Sequence, residues 1–139
     1  MAVIRGQYLW TCHHVGLDGP DEAYNGEDVD RSAIQWFKVS ITETGHLELQ
    51  NGNDWGRIWD ASASQPRWYY FPSLMVNAGE QLAIGFSGSS ETSFVGAYYC
   101  GRSGVGGTVE GPVLIQAGKD YFDHLSWCGR SRYGMGRIS

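Results

Sequence analysis

Apolar and polar residues alternate with a period of two along most of this chain. In QLAIGFSG (81–88), Leu82, Ile84 and Phe86 point one way and Ala83, Gly85 and Ser87 the other, as in a strand with two different faces. The small face suits close approach by a neighbouring sheet. In SAIQWFKVSI (32–41), Ile34, Trp36 and Lys38 alternate against Ala33, Gln35, Phe37 and Val39, so both faces carry apolar bulk. Such a strand is expected between two sheets. Asn77-Ala78-Gly79-Glu80 and Thr44-Gly45 are turn chemistry between apolar runs and predict hairpins. No segment keeps apolar residues at helical spacing for more than about two turns, which predicts an all-β chain with very little helix.

The apolar runs fall into groups. Within 69–121 lie 72–77, 81–90, 93–102 and 111–121; before them lie 7–15, 32–41 and 46–52, and after them only 132–139. Antiparallel four-stranded units of this length predict propeller blades, about two blade equivalents in a single domain spanning 1–139. One blade covers about 7–60, with its innermost strand supplied by residues 132–139 of a neighbouring chain; the other covers about 69–121. Two blades cannot close a ring. A homo-oligomer joined by strand exchange is therefore expected, most simply a homotrimer, because head-to-tail contacts close when the rotation divides the circle.

Composition narrows the class of partner. A chain of 139 residues with 20 glycines and 14% aromatic residues suits one turn-rich β domain. A net charge of −5 argues against nucleic acid as a partner. No run approaches the roughly 20 apolar residues that cross a bilayer as a helix, so no membrane partner is expected. The start, MAVIRGQYLWTC, shows no secretory leader, and the three cysteines, Cys12, Cys100 and Cys128, cannot all pair within one chain. Both features favour a cytoplasmic protein with free thiols.

Tyr70-Phe71-Pro72-Ser73, Val76-Asn77-Ala78-Gly79-Glu80 and Ile84-Gly85-Phe86-Ser87-Gly88-Ser89-Ser90 resemble the blade sequence of sialidase-like six-bladed propellers of the BNR/Asp-box superfamily. Arg130-Ser131-Arg132-Tyr133-Gly134 resembles the start of a further blade. The resemblance covers about two-thirds of the chain, from Ile34 onward, and implies the fold, as a two-blade piece of it. It does not carry sialidase activity over. Tyr133 stands where tryptophan is expected, Met135 and Gly136 replace the aspartate and tyrosine, and Ser87–Phe94 lacks the aspartate and glycine of an Asp box.

Candidate chemistry follows from the charged and aromatic residues. Arg31, Arg102, Arg132 and Arg137, with Tyr133, are the candidate ligand-binding set for a glycan or small anion. Arg137 would repeat around a ring axis as an anion site, and a ligand there would also touch the start of the 72–77 strand. The competing reading makes these arginines partners in ordinary ion pairs. No catalytic residue is assigned; a reduced glycoside hydrolase with a site completed between subunits is the alternative to a non-catalytic binding and assembly module. No cofactor is expected. Cys12-His13-His14 is not a metal motif, because alternate strand residues face opposite ways. The 18–30 loop carries six carboxylates and Asn25, oxygen ligands of the type calcium takes. Trp55, Trp59, Trp68, Tyr69, Tyr70 and Phe71 crowd the connection between the units. They are expected either to wedge the blades together or to stack on a sugar.

Overall fold

The computed structural model describes residues 1–18, 29–49, 54–62 and 64–120. These residues contain no helix and form two antiparallel sheets. The first sheet comprises β1 (Ala2–Arg5), β2 (Tyr8–Leu17), β3 (Arg31–Ile41), β4 (Leu47–Glu48) and β5 (Trp55–Ile58), in the order β1-β2-β3-β4 with β5 also on β3. The second comprises β6 (Trp68–Val76), β7 (Leu82–Ser90), β8 (Ser93–Arg102) and β9 (Val113–Gln116), in chain order.

The second sheet follows the strand pattern of the sequence. Its first hairpin is built as the turn residues predict: the Asn77 side-chain oxygen accepts from Gly79 N and Gln81 N, both at 3.0 Å. The first sheet has two strands that the sequence reading omits, β1 and β5, the latter in a stretch read only as an aromatic connection. That reading starts the sheet at Gln7 and leaves it one strand short, whereas β1 lies beside β2, pairing Ala2 with Thr11 and Arg5 with Tyr8. The connecting turn has only two residues, and Gly6 takes φ 58°, a conformation tight hairpin turns ask of glycine. With β1 in that place, a strand from a neighbour would add outside β1 or outside β4 and β5. Residues 121–139, including the expected strand 132–139, lie outside the described residues.

The sheets share one core. Trp10 and Cys12 of β2, Ile34 and Trp36 of β3 and Ile58 of β5 pack against Tyr69, Leu74 and Val76 of β6, Leu82, Ile84 and Phe86 of β7, and Tyr98 and Cys100 of β8. An extra residue lets β6 contribute along its whole length. Tyr70 pairs with Ser87 and Ser73 with Gly85, three steps against two, so the alternation changes phase at Phe71 and Pro72. Tyr69 and Leu74 then face the same way. Phe71 adopts φ 53° and is 75% exposed, and proline, lacking an N–H, fits a bulge where the ladder is broken. Cys12 and Cys100 are free and buried in this core. Burial pushes both thiols up, Cys100 to about 12, which keeps them protonated and unreactive at neutral pH. Cys128 lies outside the described residues.

Both sheets also have an apolar outer face. The register puts Ile4 and Leu9 on the outer side of the first sheet with Val39, Phe37, Trp55, Ile41 and Leu47. Ile4 and Leu47 are largely exposed. On the second sheet Met75, Ala83, Gly85, Gly101, Tyr99 and Val113 share the outer side, with Met75 72% exposed.

Candidate functional site

Four chain segments meet at one margin of the core. Trp59-Asp60-Ala61 follows β5, Arg67 leads into Tyr69 of β6, and Tyr98 of β8 stands beside Pro112 and Leu114 at β9. Together they line an open pocket of about 410 Å³, within the range of small-ligand sites.

Asp60 organises one side of it. Its Oδ1 accepts from Ser62 N at 3.0 Å and Ser62 Oγ at 2.6 Å. Its Oδ2 accepts from Arg67 N at 3.1 Å and Arg67 Nη1 at 3.2 Å. Four donors fill the four lone-pair sites of a carboxylate. Burial raises the Asp60 carboxyl, but the hydrogen bonds from Ser62 and Arg67 outweigh it, and the group sits below its ordinary value of 3.8. Asp60 is therefore a fixed anion that holds Arg67. The Arg67 side chain remains 45% exposed. Burial works against its charge, but Tyr98 and the Asp60 carboxylate more than compensate and raise its pKa. Tyr69 is pushed up to about 12, first by burial and then by the Asp60 charge, so its phenol keeps its proton at neutral pH.

This network predicts a pH effect with a definite sign. A depressed Asp60 contributes stability that is complete above its unfolded value, near pH 4, and is lost as pH falls through its lower folded value. The Asp60→Asn variant should lie closer in urea midpoint to the parent at pH 3 than at pH 7. An equal gap at both pH values would show that the carboxylate has no special role.

Arg31, a sequence candidate, stands behind this pocket rather than in it. Its Nη1 donates to the carbonyls of Asp60 at 2.6 Å and Ser62 at 3.1 Å, while Nε and Nη2 grip the Asp30 carboxylate, both at 2.9 Å. Arg102 belongs to the other end of β3. Its side chain is 1% exposed, with Nη2 3.7 Å from Glu80. Its guanidinium lies 5.0 Å from the Trp10 ring centroid and 5.4 Å from that of Trp36. Trp36 and Lys38 lie near that end, so seven residues of β3, roughly 23 Å, separate Arg31 from Lys38. Arg31 and Arg102 thus sit apart, each among ion-pair partners. Arg132, Tyr133 and Arg137 lie outside the described residues, as do residues 19–28 of the 18–30 loop.

The remaining candidates also find places. Cys12 points into the core, whereas His13 stacks on Phe37 at 5.9 Å and His14 meets Phe71 edge-on at 6.5 Å. Among the described residues no three His, Cys, Asp or Glu side chains converge as a metal site. Of the aromatic cluster only Tyr69 is buried; Trp55, Trp68 and Phe71 are exposed, and Trp59 lines the pocket. A second recess of about 160 Å³, beside Trp36, Trp55 and Gly107, is too small for a sizeable ligand.

Sequence reasoning missed Asp60 and Arg67, which lie in a segment read only as an aromatic connection. The available signal was Asp60-Ala61-Ser62, the spacing of an Asx turn, followed by an arginine just before a strand. No family model, curated protein or solved structure matches the chain.

Proposed function

We propose that this chain is a non-catalytic β-sheet binding and assembly module that associates with copies of itself, head to tail, into a closed ring. The supporting observation is that both sheets carry apolar side chains on the faces turned away from their shared core. On the first sheet these include Ile4, Leu47 and Trp55; on the second, Met75, Tyr99 and Val113, and all six are exposed. A contiguous apolar face of this kind marks an interaction surface. The occupant that suits the first sheet's face is the second sheet's face of another copy, because stacking them continues the packing already present inside each chain. The small row Ala83, Gly85 and Gly101 allows the close approach that bulky Phe37 and Trp55 need. Such a contact is heterologous and closes when its rotation divides the circle. Three chains, giving six sheets, are the first choice, in keeping with the sialidase-like resemblance.

The non-catalytic part rests on the pocket. Most glycoside hydrolases use a pair of carboxylates with different protonation states, and sialidases a tyrosine nucleophile, so either route needs an acid free to move a proton. Asp60 is the one carboxylate among the described lining residues, and its lone pairs are all engaged.

Sedimentation equilibrium tests the assembly. The parent chain is expected at three chain masses. Ile4→Lys and Met75→Lys, at exposed positions on opposite outer faces, should each run as smaller species with unchanged circular dichroism. Mixing the two variants should restore a heterodimer, since each retains the face the other lacks. A parent chain that stays monomeric at its highest soluble concentration refutes the proposal, and so does a mixture that shows no heterodimer.

A further inference from the structure

We infer that the pocket of Trp59, Asp60, Arg67, Tyr69, Tyr98 and Leu114 is a binding site for a small aromatic carboxylate. The site goes beyond the assembly proposal and does not depend on it, because its residues lie at the margin of the shared core and not on either outer face.

The argument begins from what the pocket can donate and accept. Its carboxylate has no lone pair to offer, since Ser62 and Arg67 occupy both oxygens. The Asp60 carbonyl accepts from Arg31 Nη1 at 2.6 Å. The neutral phenol of Tyr69 retains its O–H as a donor. Arg67 uses Nη1 on Asp60, lines the pocket and stays 45% exposed, and a guanidinium carries further N–H donors beyond that one contact. Arg67 is therefore the charged donor that the described lining offers a ligand. It asks for an acceptor, and a guanidinium fork matches a carboxylate bidentately. Asp60 holds the fork in place without competing for the ligand's negative charge through any unfilled lone pair.

The walls decide the body of the ligand. Trp59, Tyr69 and Tyr98 are aromatic, and Pro112 and Leu114 are apolar. A sugar would bring several hydroxyl donors, and the Asp60 carboxylate, with its four lone-pair sites filled, cannot accept from them. A flat arene brings none and gains contact with the aromatic rings. At about 410 Å³ the cavity admits one substituted ring.

Isothermal titration of the full chain with benzoate, benzamide and glucuronate tests this inference. Benzoate is expected to bind saturably and more tightly than either of the others. Benzamide keeps the ring and lacks the charge; glucuronate keeps the charge and replaces the arene with a sugar. The Arg67→Met variant, which retains the length of the side chain, should weaken benzoate about tenfold or more, the worth of a charged hydrogen bond. Arg67→Lys should recover part of that loss. Met75→Lys, on the outer face, should bind benzoate as the parent does. The inference is overturned by absence of saturable benzoate binding, by equal affinity for benzamide, by tighter binding of glucuronate, or by an Arg67→Met variant that is folded and binds unchanged. None of those results bears on the assembly, which sedimentation reads separately.

Discussion

Replacing Glu80 with alanine is expected to destabilise the fold by about 3–5 kcal/mol, the usual cost of leaving a buried charge without its partner. Glu80 lies where two cations meet. Its Oε2 is 2.7 Å from Lys38 Nζ and 3.7 Å from Arg102 Nη2, whose side chains are 8% and 1% exposed. Aromatic rings form much of their remaining surroundings: Lys38 Nζ is 3.9 Å from the Tyr8 centroid, and Arg102 lies against Trp10 and Trp36. Asp54, 4.0 Å from Lys38, is a more distant anion beside the same ammonium. Backbone geometry provides a control within the same site. Glu80 holds φ 57°, a conformation costing a non-glycine residue roughly 1–2 kcal/mol. Glu80→Gly removes the same charge but relieves that strain, so it should be about 1 kcal/mol less damaging than Glu80→Ala. Urea unfolding of the two variants measures the difference. If Glu80→Ala costs less than about 1 kcal/mol, the cluster is solvated in practice and the argument from burial fails.

The sequence makes β6 to β9 legible because their signals are local. Leu82, Ile84 and Phe86 alternate against small residues, and Asn77 begins a turn whose bonds all fall within four residues. Lys38 was also readable as a core-facing position by its spacing from Ile34 and Trp36. What spacing cannot announce is the counter-charge, because Glu80 lies 42 residues away in the other sheet. The missed features share that non-local character. β1 is only four residues long and shows its strand nature through pairing with β2. The bulge at Phe71 reverses the alternation of β6, so a period-two reading carried from Leu74 back to Tyr69 puts Tyr69 on the wrong face. The pocket brings residues 59–61 and 67 to Tyr98 and Leu114, and neither stretch carries a recognisable spacing towards the other. The arginines singled out in the sequence do not, among the described residues, line this pocket. Arg31 and Arg102 are absorbed by nearby acids, while Arg67, unremarked in the sequence, reaches the cavity.

Arg31→Ala should be the next most damaging change, at about 2–4 kcal/mol, through a different cause. Arg31 is 2% exposed and joins three parts of the chain. Its fork engages Asp30, and its Nη1 fixes the carbonyls of Asp60 and Ser62, the segment that closes the pocket. The Asp30 hydrogen bonds are the leading reason its pKa is raised, so the guanidinium remains charged throughout the working range. Removing it leaves a cavity, frees two carbonyls and releases the strap that carries Asp60. Lysine should not rescue the loss: a single ammonium cannot hold both oxygens of Asp30 in a fork while reaching two carbonyls on the far side. Two measurements distinguish a local from a global effect. Urea unfolding should show the lost stability, and amide exchange at Ser62 and Arg67, whose N–H groups bond to Asp60, should accelerate more than exchange in β7, which lies across the core. Uniform acceleration would assign Arg31 to overall stability alone. Unchanged exchange at Ser62 and Arg67 would show that Asp60 holds its network without the guanidinium behind it.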